Sequence, residues 1–286
     1  MKNFNGKAIY NPSGKAGEYS KWACNFYVGC SNACEYCYCK KGILATNMGQ
    51  DKPQLKKCFR DETHALEVFE KELTRNLPEL RKHGLFFSFT TDPMLPETIT
   101  LTMNAAGIAT SKGVNVKILT KCVSWVDDFI WWINNSNSDN VREEWRRRYA
   151  FGFTLTGHDE LEPNASTNKE RVNAMWALYS AGFKTWASIE PIVDFESSYF
   201  MIQSVVDCAK LLKVGLMSGK KYSSEDCRDF IEKLLRYFDH WEWDTKIYFK
   251  DGLLRQAGIN REDLPGYCVT RDYNMFEVLV GKKRSK

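Results

Sequence analysis

The sequence predicts an α/β protein, a parallel-stranded partial (β/α)6 barrel of the TIM type with N- and C-terminal extensions. Short apolar runs alternate with helix-length segments through most of the chain. Those runs lack the in–out alternation of a sheet with one wet face, as expected of parallel strands covered by helices. Six or seven such units can be counted, short of the eight that close a barrel. A doubly wound sheet is the rival, but no Gly-rich dinucleotide loop follows any of the strands.

The elements follow in order. Residues 1–20 form an irregular lead, and 21–28 a first short strand. Thr63–Leu77 places Leu66, Phe69, Leu73 and Leu77 on one helical face. Leu85–Thr90 is an aromatic strand stopped by the turn Thr91-Asp92-Pro93. Helix Thr98–Ser111 ends at Gly113, and strand Val114–Thr120 follows. Two helices, Val126–Ile133 and Val141–Arg148, flank a polar loop at 134–140. After strand Tyr149–Thr156, Thr167 and Glu170 make a capping box for a helix stopped at Gly182. Strand Lys184–Ile189 runs into Glu190-Pro191. Helix Ser197–Ala209, strand Lys213–Met217, helix Ser224–Phe238 and strand Thr245–Phe249 complete a body spanning 21–250. Residues 251–286 are expected to pack on or near it, ending in a short basic tail from Gly281.

The chain has 286 residues, 43% hydrophobic and 27% charged, with a formal charge of +4. That is ordinary globular composition. The charge permits a nucleic-acid partner without arguing for one. No apolar stretch is long enough to span a membrane, and the first residues lack the apolar middle of a signal peptide, so a cytoplasmic protein is expected. Ten cysteines are many for a reducing compartment, and five of them fall between Cys24 and Cys39. That clustering asks for metal or thiol chemistry near the N-terminus.

The decisive segment runs from Cys30 to Cys37: Cys30, Cys34 and Cys37 follow the spacing C-x3-C-x2-C directly after the first strand and Gly29. Thiolates suit iron–sulfur clusters or zinc. Four protein thiolates fill a [4Fe–4S] centre, and three leave one iron open. This spacing, with Tyr36 in its aromatic place, resembles the radical S-adenosylmethionine (radical SAM) superfamily. The resemblance implies a [4Fe–4S] cluster on the three cysteines and S-adenosylmethionine chelating the open iron. Reductive cleavage would then give a 5′-deoxyadenosyl radical that abstracts hydrogen from a substrate. It also implies an external electron donor such as flavodoxin or ferredoxin. The wider stretch from Asn25 to Tyr38, with Thr91-Asp92-Pro93, Leu119-Thr120-Lys121, Glu162-Pro163, Arg171 and Ala181-Gly182-Phe183, resembles the spore photoproduct lyase-like branch. That branch implies a nucleic-acid substrate and lyase-like repair.

Chemistry in such folds belongs at the C-terminal ends of the strands. There Tyr36 would pack near adenine, and Thr91 and Asp92 stand where relatives carry a Gly-Gly-Glu-like stretch for the cofactor amine. Thr154 could meet the cofactor carboxylate, and Glu190 an amine or ribose hydroxyl. Cys122 is the best-placed analogue of the lyase's hydrogen-donating cysteine, with Cys39 and Cys268 as alternatives. Cys208 and Cys227 lie on apolar helix faces and read as core. The competing reading is a non-catalytic zinc or iron–sulfur nucleic-acid-binding module, with Cys24 or Cys39 as a fourth ligand.

Overall fold

A computed structural model describes residues 3–136 and 138–276. Its strands are β1 (Ile9–Tyr10), β2 (Ala23–Cys24), β3 (Tyr27–Val28), β4 (Gln54–Leu55), β5 (Leu85–Phe87), β6 (Val116–Thr120), β7 (Tyr149–Thr154), β8 (Lys184–Ile192), β9 (Leu211–Leu216) and β10 (Lys246–Phe249). Eight of them form one sheet in the order β1-β2-β5-β6-β7-β8-β9-β10. From β2 to β10 every pairing is parallel. The short β1 lies antiparallel on β2. Among the described residues β10 does not pair with β1, so the barrel is open as expected. Helices bridge successive parallel strands from β5 onward.

The N-terminal quarter departs from the sequence reading. The single strand expected over 21–28 is two, because Asn25 turns the chain out of the main sheet. Its amide nitrogen donates to the Ala8 carbonyl at 3.0 Å, and its side chain accepts from Phe89 N–H at 2.9 Å and donates to the Tyr10 hydroxyl at 2.7 Å. Beyond it, β3 pairs antiparallel with β4 in a separate two-stranded sheet. Nor is the lead wholly irregular. The Glu72 carboxylate accepts from the amides of Lys7, Ala8 and Ile9 at 2.6, 3.0 and 2.7 Å, which holds β1 against the Glu62–Arg75 helix. The loop expected at 134–140 shortens, since the helices run Val126–Ser136 and Asp139–Arg148.

Local signals elsewhere act as read. Both arms of the Thr167/Glu170 capping box are present at the start of helix Asn168–Ser180. The outer face of the sheet packs under the helices in a large aromatic and aliphatic core. The other face carries Phe86, Ala150, Trp186, Leu211 and Tyr248. Gly152 is required there, because a Cβ would lie 2.1 Å from the Trp186 ring. The C-terminal extension closes that face: Val269 N–H donates to the Ile247 carbonyl at 2.8 Å, and Met275 packs with Phe86 and Trp186. The basic tail from Gly281 lies outside the described residues. No helix among the described residues is long and apolar enough to cross a membrane.

Candidate active site

The cysteine loop begins where β3 ends. Gly29 has φ +81°, and a Cβ there would lie 2.4 Å from the Lys52 carbonyl, so only glycine fits. Cys30 N–H donates to the Gln50 carbonyl at 3.0 Å. On the other side the loop at 157–167 clasps it: Glu35 N–H donates to the Leu161 carbonyl at 3.0 Å, and the Asn164 side chain donates to the Ser31 carbonyl at 3.0 Å. So held, Cys30, Cys34 and Cys37 all line one cavity of about 390 Å³ at the C-terminal ends of the strands. Among the described residues no three His, Cys, Asp or Glu side chains converge as ligands for a single metal ion. A cubane needs no such convergence, because each thiolate binds a different iron.

The thiols differ electrostatically. Burial pushes the Cys30 thiol up to about 12, against the opposing pull of the Asn32 and Asp92 amides and the Lys121 ammonium. Burial likewise raises Cys34. Cys37 is lowered, chiefly by a hydrogen bond from the Cys39 thiol. Cys39 also lines the cavity, whereas Cys24 is wholly buried on β2 and does not. Of the two cysteines considered as a fourth ligand, only Cys39 shares the cavity.

Asp92 is the joint between loop and sheet. Its carboxylate accepts from the Asn32 side chain (2.9 Å), Met94 N–H (3.0 Å), Thr120 hydroxyl (2.6 Å) and Lys121 N–H (2.7 Å). Four donors fill a carboxylate's four lone-pair sites. Asp92 therefore organises the cavity wall and has no lone pair left for a cofactor amine, the role expected of it. The unspent acceptors are its neighbours: the buried oxygens Asn32 Oδ1, Gln50 Oε1 and Thr91 Oγ1 have no hydrogen-bond partner, and all three residues line the cavity. The Asn32 amide cannot be reversed, because Asp92 accepts only, so its Oδ1 is fixed as an acceptor. These oxygens fit a ligand rich in donors, such as an amino acid ammonium or a ribose.

Tyr36 belongs to a second buried network. Its hydroxyl donates to Glu162, which also receives Arg171; the Glu162 and Arg171 side chains are wholly buried. Lys121 Nζ sits 5.4 Å from the Tyr36 ring centroid and 3.8 Å from Glu162 Oε1. Thr154 lines the cavity beside them, its carbonyl accepting from Arg171 at 2.6 Å. At the far wall Glu190 is held by Lys250 Nζ at 2.8 and 3.0 Å and by the Tyr19 hydroxyl at 2.5 Å, which is also 2.7 Å from Ser188 Oγ.

Of the predicted site residues, Cys30, Cys34, Cys37, Tyr36, Thr91, Asp92, Thr154 and Glu190 meet around this one cavity. Cys122 does not line it: the residue is 9% exposed, its sulfur 3.4 Å from Ser124 Oγ within the outer core. Cys208 and Cys227 are core, as read. Sequence reasoning gave no role to Tyr19, Asn32 or Gln50. Asn32 was open to inspection, lying between two of the cysteines, whereas Tyr19 and Gln50 are brought in by segments without a motif.

No protein-family model matches the chain. In solved structures the fold is shared by spore photoproduct lyase with bound AdoMet and dinucleoside spore photoproduct, at TM-score 0.60 and 14% identity, over 84% of this chain and 79% of that one. Streptococcus suis SuiB bound to S-adenosylmethionine follows at TM-score 0.55 and 12% identity, covering 84% of this chain and 50% of that one. Both are radical SAM enzymes. The chain has the radical SAM fold. An uncharacterized protein of Methanocaldococcus jannaschii is 26% identical over 199 residues, and the match spans 65% of each chain, just under two thirds of that relative's length.

Proposed function

We propose that this chain is a radical SAM enzyme of the spore photoproduct lyase-like branch, with a [4Fe–4S] cluster on Cys30, Cys34 and Cys37. The observation that carries the reading is the meeting, in one cavity, of three thiols from one loop with three buried oxygens that lack donors. When bound, the cluster and S-adenosylmethionine supply a 5′-deoxyadenosyl radical for hydrogen abstraction.

The chain's own groups supply placement and shielding. Asn32, Gln50 and Thr91 accept from the cofactor's amine or ribose. Lys121, fixed over Tyr36, places positive charge beside the thiolates. Tyr36, tied to Glu162, offers its ring as one wall, and Glu190 with Lys250 and Tyr19 forms the wall facing the substrate. The proposed substrate is a nucleic acid, supported by the bound dinucleoside photoproduct in the structurally similar lyase. All ten cysteines are free thiols, the state a reducing compartment maintains, and the cytoplasm is the proposed location.

Anaerobic reconstitution tests the reading. The expected result is about four irons per chain, 5′-deoxyadenosine after reduction, and loss of both in Cys30→Ala, Cys34→Ala and Cys37→Ala. A redox-inert zinc protein whose metal is lost in Cys39→Ala would overturn it in favour of a zinc module. The nucleic-acid assignment predicts binding that weakens steeply with salt; its absence at low salt would point to a peptide or small molecule.

A further inference from the structure

Positive charge gathers in two stretches of this chain, the basic tail from Gly281 and the segment from Tyr38 to Arg60. Between Tyr38 and Arg60 stand six lysine or arginine residues and one carboxylate, Asp51, a local charge of +5 in a chain whose whole formal charge is +4. The rest of the molecule is therefore slightly acidic. The basic stretch is built directly against the cysteine loop. The Gln50 carbonyl accepts from Cys30 N–H, Lys52 closes over Gly29, and β4 pairs with β3 immediately before the first cysteine. Lys40 is paired with Asp51 at 2.6 Å. Lys41, Lys52 and Lys57 are exposed and have no carboxylate partner among the described residues. Two apolar side chains of the same stretch are uncovered: Tyr38 is 47% and Leu44 41% exposed. The Tyr38 hydroxyl donates to the Phe89 carbonyl, and the residue also lines the cysteine cavity.

We propose that this face docks a small acidic electron-transfer protein that reduces the cluster. The inference rests on the reading of the cysteine loop given above, since a bound cluster would have to receive its electron from outside the chain. One electron passes from the reduced donor to the cluster; the donor is oxidised by one electron, and no bond or proton of this chain changes. Exposed apolar side chains among unpaired lysines have the make-up of a transient protein interface, with charge steering the encounter. A phosphate backbone would use the lysines but has no complement for Leu44. The face also lies close to the thiols along the chain, one residue separating Lys41 from Cys39 and one separating Lys52 from Gln50, whose carbonyl accepts from Cys30 N–H.

The test uses the reconstituted enzyme and a reduced flavodoxin as probe. In K41E/K52E, flavodoxin-driven cluster reduction should slow at least about tenfold at low salt and lose its ionic-strength dependence. Calorimetric affinity for flavodoxin should fall in parallel, while reduction by dithionite stays within about twofold. The neutral pair K41Q/K52Q should give an intermediate effect and guards against misfolding of the reversed variant. Unchanged flavodoxin binding and reduction would overturn the proposal. So would a variant that loses nucleic-acid affinity while donor kinetics hold, which would assign the face to substrate. Wild-type protein that takes up no iron would sink the enzyme reading instead; flavodoxin binding to the metal-free chain then reads the docking face alone.

Discussion

The side chains of Asn32 and Asp92 are joined by a 2.9 Å hydrogen bond that pins the loop between two cysteines to a turn sixty positions further on. The same carboxylate holds Thr120 and the amide of Lys121. One residue thus fixes the loop, the end of β6 and the turn after β5 in a single arrangement. Asp92→Asn replaces an oxygen that accepts with a nitrogen that donates toward other donors. The expected cost is about 2–3 kcal/mol in denaturant unfolding, with iron retention reduced below wild type. Wild-type iron content with unchanged stability would show that Asp92 is dispensable.

Thr91→Val removes an unpartnered hydroxyl while keeping the shape of the side chain. Because nothing in the protein depends on that oxygen, stability should hold. S-adenosylmethionine binding to the reconstituted enzyme should weaken about 5- to 10-fold, the worth of one hydrogen bond. Equilibrium titration separates this from a folding effect. Unchanged affinity would remove Thr91 from the cofactor site.

Cys122→Ala should leave 5′-deoxyadenosine formation and substrate turnover within about twofold of wild type, because its sulfur lies in the core away from the cavity. A variant that still cleaves the cofactor but stalls with unquenched substrate would restore Cys122 as hydrogen donor.

The loop that clasps the cysteines has its own acid–base latch. His158 Nδ1 lies 2.6 Å from Glu160, and Nε2 contacts Asp194 and lies 3.0 Å from Ser197 Oγ. Burial opposes protonation, but the hydrogen bonds to Glu160 and Asp194 prevail and raise His158 above its usual 6.5. Burial also opposes charge on Asp194, yet bonds from Ser197 and His158 bring it down to about 2. A raised histidine stabilises fully below its unfolded value, and that stabilisation is lost as pH climbs through the folded one; a lowered carboxylate stabilises above its unfolded value, and loses it as pH falls toward 2. Between about pH 4 and 6.5 both contributions are present. His158→Gln should abolish the decline in stability above that window. An unchanged profile would mean the latch is idle.

Much of the barrel was legible because local signals agree with the global pattern. The Thr167/Glu170 box, Gly182 and the apolar runs at β5 to β10 each needed only their own neighbourhood. The N-terminal quarter was not legible, because Asn25 leaves the sheet through contacts with Ala8, Tyr10 and Phe89 that no short window contains. The site divides in the same way. Cys30, Cys34, Cys37 and Tyr36 announce themselves by spacing, and Thr91, Thr154 and Glu190 by position at strand ends. Asp92 was read as a ligand because a carboxylate there invites an amine, and only its four protein donors reveal it as spent. Cys122 was misled by the same positional logic: the residue follows a strand end, but its side chain points into the packing beneath the helices.

An unclosed sheet leaves two rims on which a foreign strand could add itself. Here one rim is the two-residue β1, too brief to template such growth, and the other is covered where Cys268 and Val269 run alongside Ile247. The wall of the barrel can thus stay parted without turning the protein into a seed for aggregation.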